Sequence, residues 1–436
     1  MAFDHRSSDR AAGLGTCVVQ ATSRADSAQV EPAGARRLGR LVSRGMQMLP
    51  AVGMLMISGP VSAQTILTVG PDGAYTTVGS AASQIVNGSD YEIRIQEGDH
   101  WGGVGLVSPG SFTSGSVVIS GGWTSTFSIQ RPHPNATRLH EGRMGIWIQG
   151  GSYRVENLTS RDSTAGLDGG AMDIHLSGDA HVRLERLWIV ANQASVSMVG
   201  DLHGGGVNAV LTDSSRIEIA DCEVSRNVME PTLGEAAYGG GIYLSTSGSS
   251  TALLVRTRIE GNSCASSVSG RYGGGLFVFA QASSSIELID CTVRGNTLGA
   301  GTGSSEGSGA FITVNLTGHV VARRVAWLAN LDTGTASAAQ AHINVASDAT
   351  VEVTDSVVCS GNDIGVQAYS QGALRLTNLT VAENAGDGVK ISTGSSLVSL
   401  YNTIAFLNGT DTNINGTIAS GGNLIGVDPI FDDPVG

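Results

Sequence analysis

Between Arg183 and Asn408 the chain repeats one phrase, apolar-x-apolar-x-x-apolar-x-apolar-x-x-Asn, as in IEIADCEVSRN (217–227) and IELIDCTVRGN (286–296). Taking the closing asparagine as a ruler gives Asn192, Asn227, Asn262, Asn296, Asn330, Asn362, Asn384 and Asn408, with steps of 35, 35, 34, 34, 32, 22 and 24 residues. A recurring period in this range is the signature of a solenoid, in which each repeat buries its apolar face against its neighbours.

The phrase also selects the kind of solenoid. Apolar residues fall two apart, as in Ile217/Ile219 and Cys222/Val224, which is the period of a half-buried strand and not of a helix. The three-residue step from Ile219 to Cys222 reads as a bend between two short strands that keeps both apolar pairs inward. A second phrase, GGGVNAV at Gly204, GGGIYLS at Gly239, GGGLFVF at Gly273 and GSGAFIT at Gly307, recurs at the same period and supplies a third strand. Short strands stacked at about 4.8 Å per rung predict an all-β parallel β-helix.

Composition fits thin layers of small side chains: 61 of 436 residues are glycine, aromatics are 5% and charged residues 14%. The first 63 residues hold seven of the 25 basic and four of the 38 acidic side chains, leaving 18 against 34 in the remainder. That balance repels phosphate backbones and anionic membranes, so nucleic acid is not an expected partner.

Residues 1–63 read as a non-structural leader. Within it, RRLGRLVSRG (36–45) is basic, MQMLPAVGMLMISGPV (46–61) is apolar but too short to span a bilayer, and Val61-Ser62-Ala63 fits a small-x-small cleavage site. The expectation is a signal peptide over 36–63 and export to the cell surface, the outer membrane, the periplasm or the medium, with no transmembrane helix in the mature chain. Residues 64–150 read as the N-terminal cap and first coils: a turn-rich start, one short amphipathic helix within Thr77–Val86, and YEIRIQEGDHW (91–101) as the first alternating strand. Residues 151–436 carry the repeats of the same domain. Cys222 and Cys291 occupy the same slot two coils apart, about 9.6 Å, beyond disulfide reach, and read as core fillers. No Cys/His cluster has metal-ligand spacing.

TVGPDGAYTTVGSAAS with YEIRIQEGDHW resembles the opening of pectin-lyase-like, right-handed parallel β-helix proteins, and SGGWTSTFSIQRPHPNATRLHEG (120–142) is similar to a segment of bacterial surface β-helix proteins. The glycine and asparagine phrases resemble a variant of polymorphic outer membrane protein repeats, and NLIGVDPIFDDP (423–434) resembles the close of such coils. The resemblance implies a right-handed β-helix with a helical N-terminal cap. It does not select an activity, since that superfamily includes lyases, hydrolases and adhesins.

Three columns of equivalent positions follow from the repeat. The asparagines read as a structural ladder of turn residues in the left-handed backbone conformation, their amides hydrogen-bonded along the stack. Six residues earlier stand Arg186, Asp221, Arg256, Asp290 and Arg324, then Asp355 one residue off register, Asn378 and Asn402. Their alternating sign reads as a solvent-facing ion-pair ladder that holds register, which removes these aspartates from the catalytic candidates. Immediately before the glycine phrase come Asp168, His203, Tyr238, Tyr272 and Glu306, the last four each ending an insertion. Stacked tyrosines beside His and carboxylates suit a carbohydrate; a corner that tolerates any polar residue is the plainer alternative.

Fragments of polygalacturonase-like blocks, Asn402-Thr403-Ile404, His203-Gly204-Gly205 and Asp432-Asp433, are scattered over different coils. The acidic group Asp428, Asp432 and Asp433 reads as turns; no cofactor is identified, and calcium enters only under a lyase alternative. Three functional readings therefore stand: an adhesin-like or polysaccharide-contacting scaffold, a polysaccharide lyase or glycoside hydrolase, and a structural passenger of a larger surface protein. The expected partner is a polysaccharide or cell-surface protein, with self-association at an uncapped C-terminal rung.

Overall fold

A computed structural model describes residues 64–427 apart from short runs at 103–104, 107, 109–111, 166–167, 197–199, 232–235, 265–269, 302, 335–337 and 395–396. The leader, its signal-peptide pattern and Asp428, Asp432 and Asp433 lie outside the described residues. All described residues belong to the compact unit Ala63–Gly436.

Two long parallel sheets dominate. One has 23 strands and is bent lengthwise, so that it supplies two faces of each coil; the other has 11 strands. The strand His181–Val190 runs through the bend, pairing Val182 with Ile217 on one side and Trp188 with Glu223 on the other. Stacking is in register: Ile217, Ala252, Ile286, Val320, Val351, Leu374 and Val398 form one inward row of the bent sheet. Val207, Ile242, Leu276 and Ala310 form another in the 11-stranded sheet. These rows are fully buried. Truncating such a residue to alanine, as in Ile219→Ala, costs about 2–5 kcal/mol because stacked rungs cannot collapse into the cavity.

The N-terminal end differs from the sequence reading in detail. The first strand is Thr65–Val69, paired with Tyr91–Ile95, and YEIRIQEGDHW splits at Glu97 into Tyr91–Gln96 and Gly98–Trp101. The helix is only Val78–Ala82, started by a capping box in which Thr77 Oγ1 accepts from Ser80 N–H at 3.1 Å. Its Val78, Ala81 and Ala82 are buried.

The asparagine column is a continuous buried ladder. Asn192 Nδ2 donates to Asn227 Oδ1 at 2.9 Å, Asn227 to Asn262 at 2.9 Å, Asn262 to Asn296 at 3.0 Å and Asn296 to Asn330 at 3.0 Å. The same oxygens accept the backbone N–H of the neighbouring asparagine at 2.9–3.0 Å. The expected left-handed backbone is not at the asparagines but one residue earlier, at Ala191, Arg226, Gly261, Gly295 and Ala329, where φ is 50–63°. That residue makes the corner and turns the asparagine inward. The third glycine of the other phrase makes the room: a Cβ on Gly206, Gly241 or Gly275 would stand 2.6–2.9 Å from the Nδ2 of Asn227, Asn262 or Asn296.

Asn362 does not belong to this ladder. Strand pairing sets Leu328 against Cys359, so Gly361 takes the rung below Asn330, and exposed Asn362 instead bonds the backbone of Asp332. Measured from Gly361, Asp355 is six residues back and in register, paired through Thr354 with Arg323 and hence beside Arg324.

The charge column lies on the bend itself. All of Arg186, Asp221, Arg256, Asp290, Arg324, Asp355, Asn378 and Asn402 have φ between 47° and 55°. Bonds close in pairs and not along the whole ladder. Arg256 holds Asp221 through two contacts of 2.6 and 2.7 Å, Arg324 holds Asp290 at 2.5 and 2.9 Å, and Asn378 holds Asp355 at 2.7 Å. Arg186 reaches Asn157 Oδ1 at 2.7 Å and Glu156 at 3.1 Å.

Candidate ligand-binding face

Each insertion ends in a short strand, Leu202–His203, Ala236–Tyr238, Gly270–Tyr272 and Ser304–Glu306, and these four form a small parallel sheet. His203, Tyr238, Tyr272 and Glu306 are direct partners in it. Asp168 continues the column, its Oδ1 accepting from His203 N–H at 2.9 Å and lying 3.1 Å from His203 Nδ1. The five residues are thus brought together at one rung per residue. Asp168 and Glu306 remain four rungs apart, about 19 Å, outside the window for a paired-carboxylate glycosidase.

The rings are stacked on each other: His203 on Tyr238 at 5.4 Å and 11°, Tyr238 on Tyr272 at 5.1 Å and 13°. Behind them, on the outer face of the 11-stranded sheet, stands a second stack, Tyr243 on Phe277 at 5.1 Å and 7°, and Phe277 on Phe311 at 5.4 Å and 16°. The two stacks meet edge to face, Tyr238 with Phe277 at 5.0 Å and Tyr272 with Phe311 at 5.4 Å. Each such ring pair adds about 0.5–1.5 kcal/mol beyond area burial, so the insertions are welded to the sheet as a wall. The faces of Tyr238 are taken by His203 and Tyr272. What the wall offers a ligand is ring edges, hydroxyls and the Asp168–His203 pair. Burial, with a smaller contribution from Asp201, pushes the Tyr238 hydroxyl up to about 12, so it remains a neutral donor and acceptor.

At the far end of the wall, Glu306 Oε2 lies 3.4 Å from His342 Nε2, which is also 3.3 Å from Asn344 Oδ1. Burial lowers the His342 imidazole to about 4 and raises the Glu306 carboxyl, so neutral histidine meets the glutamate and no ion pair forms near pH 7.

Beside the wall runs an open track that the sequence reading did not single out. It is the next outward column of the same sheet: Trp147, His175, Val210, Ser245, Phe279, Thr313, Asn344 and Tyr369, in register. Trp147 is 47% and Tyr369 44% exposed. At the Trp147 end a buried carboxylate organises its surroundings. Asp173 Oδ2 accepts from Trp147 Nε1 at 3.0 Å and Arg143 Nη2 at 2.5 Å, while Oδ1 lies 3.1 Å from His175 Nε2 and accepts from Asn208 Nδ2 at 2.8 Å. Burial acts to raise the Asp173 carboxyl, but these bonds and the Arg143 charge outweigh it and hold the group below its ordinary range. The alternation of MGIWI (144–148) with MDIHL (172–176) was the available signal, since both place their second and fourth residues outward.

Among the described residues no group of three or more His, Cys, Asp or Glu is arranged to hold a metal ion, and no helix is long and apolar enough to cross a membrane. Residues 135–318 match the family described as right handed beta helix region. No curated protein and no solved structure matches the chain. With its stacked parallel sheets, the protein is an all-β, right-handed parallel β-helix.

Proposed function

We propose that the protein is an exported, adhesin-like scaffold that contacts polysaccharide along the outer face of its 11-stranded sheet. The observation that carries this reading is the wall of His203, Tyr238 and Tyr272, ring-stacked into a fixed edge beside a half-exposed track. A rigid groove with a polar rim and aromatic floor binds an extended chain without first having to order its own loops. The basic and apolar pattern over 36–63 supports export. The test is the double substitution Tyr238→Phe and Tyr272→Phe, which keeps the stack and deletes only the hydroxyls. Weaker binding of a polysaccharide panel at unchanged melting temperature supports the reading; identical binding to every glycan removes the wall from it.

One observation favours a lyase or hydrolase instead. His175 Nε2 is engaged by buried Asp173, which leaves Nδ1 as a base on the open track. Incubating the protein with acidic and neutral polysaccharides, with and without calcium, decides this: unsaturated product or new reducing ends that disappear in His175→Ala would establish catalysis, and none would leave binding.

A further inference from the structure

Trp147 is the most exposed aromatic side chain of the track. Its indole is 47% exposed yet held in place, by the hydrogen bond to Asp173 at 3.0 Å and by the T-shaped contact with His175 at 5.2 Å and 72°. A surface tryptophan held this way has already given up the side-chain freedom that binding would otherwise remove.

Hollows flank it on both sides. One, of about 360 Å³, includes Gln149, Ser177 and Thr212; the other, of about 240 Å³, is lined by Arg143, Asp173 and two glycines. An apolar plate bordered by hydroxyl and amide groups matches a pyranose, which has an apolar C–H face and a rim of hydroxyls. The local charges select among sugars. Arg143, Asp173 and His175 are the titratable side chains lining these hollows, and Asp173 engages both others, Arg143 at 2.5 Å and His175 at 3.1 Å, so neither is left as an unpaired cation for a uronate or sulfate. The excess of 34 acidic over 18 basic residues beyond position 63 further repels a polyanion.

We infer that Trp147 is a stacking platform for a neutral hexopyranose residue, three rungs, or about 14 Å, from the coil that carries Tyr238 and Tyr243. This rests on the saccharide reading above and adds to it the site of ring stacking and the class of sugar.

Cellohexaose, mannohexaose and hexagalacturonate are titrated against the full chain and its Trp147→Ala variant, with melting temperatures as the folding control. The expected result is that a neutral hexasaccharide binds, that Trp147→Ala weakens it at least tenfold at unchanged melting temperature, and that hexagalacturonate binds more weakly. Trp147→Phe, which keeps a ring against His175, should fall between the two and serves if the alanine variant does not fold. Equal neutral binding by wild type and variant, or tighter binding of hexagalacturonate, overturns the platform. If the Tyr238/Tyr272 phenylalanine variant loses neutral binding while Trp147→Ala keeps it, the platform fails and the saccharide reading stands. Binding of none of the three overturns both.

Discussion

Gln340 occupies the space that Gly361 leaves in the asparagine ladder. Its Oε1 accepts from both the N–H and the Nδ2 of Asn330 at 3.1 Å, and its Nε2 donates to Asn384 Oδ1 at 2.7 Å and Cys359 O at 2.9 Å. Gln340 stands where the preceding coils have the third glycine of the glycine phrase, so its side chain replaces the asparagine missing from the same coil. A Cβ on Gly361 would stand 2.7 Å from Gln340 Cγ, so the two solutions exclude each other.

Gln340→Gly should therefore destabilise the protein by on the order of 3 kcal/mol, because several buried donors and acceptors lose their partner at once. Gly361→Asn alone should also destabilise, through collision with Gln340. The double variant Gln340→Gly with Gly361→Asn should recover most of the loss, since it restores the pairing of third glycine and ladder asparagine found in the other coils. Urea unfolding of the four proteins as a double-mutant cycle measures this, and simple additivity of the two losses would refute it.

Acid sensitivity should centre on His342. Buried and neutral in the fold at about 4, it binds a proton near 6.5 once unfolded, so the unfolded chain takes up more protons between those values. Stability contributed by the neutral ring is complete above pH 6.5 and is lost as pH falls toward 4, by at most about 3 kcal/mol. Glu306, raised by burial, acts in the opposite sense: it favours the fold at low pH and its contribution fades as pH rises through its folded value. Melting temperature from pH 7.5 to 4 should fall less steeply in His342→Phe, which extends the Phe277–Phe311 stack.

Below pH 4 the corner aspartates take over. Hydrogen bonds from Arg256 and Arg324 depress the carboxyls of Asp221 and Asp290, so their contribution is present above the unfolded value near 3.9 and lost as pH falls through the lower folded value. Asn378 and Asn402 occupy the same left-handed corner, so Asp221→Asn with Asp290→Asn should fold normally. Its stability should be flatter with pH below 4 and less sensitive to salt at neutral pH than the wild type. An unchanged acid limb would show that the pairs contribute nothing to it.

The cysteines of the coils should be inert until the fold opens. Cys222, Cys264, Cys291 and Cys359 are buried, and burial pushes the thiols of Cys222 and Cys264 up to about 12 and of Cys291 to about 11. A thiol reagent at pH 8 should leave all four unmodified for hours and label them within minutes in denaturant. Rapid labelling of any one under native conditions would place it nearer the surface than its 0–3% exposure implies.

The period of the asparagines and the two-residue alternation of Ile217/Ile219 or Cys222/Val224 were sufficient to determine a parallel β-helix, because stacked coils demand the same residue type at the same height on every rung. The same regularity placed Asp168, His203, Tyr238, Tyr272 and Glu306 in one column. The sequence misassigned Asn362, and the one-residue slip of Asp355 was the visible trace of that error: both resolve when Gly361 is the ladder position. Only tertiary structure decided what each column faces. Corners in the left-handed conformation turn the asparagines inward and leave the charges outside, while the insertions fold back so that Tyr238 and Tyr272 stack on one another and over Phe277 and Phe311. The repeat specifies neither choice, because direction at a corner depends on backbone torsion and on which neighbouring side chain gets there first. For that reason the exposed, fixed indole of Trp147 emerges from the packing and not from the pattern.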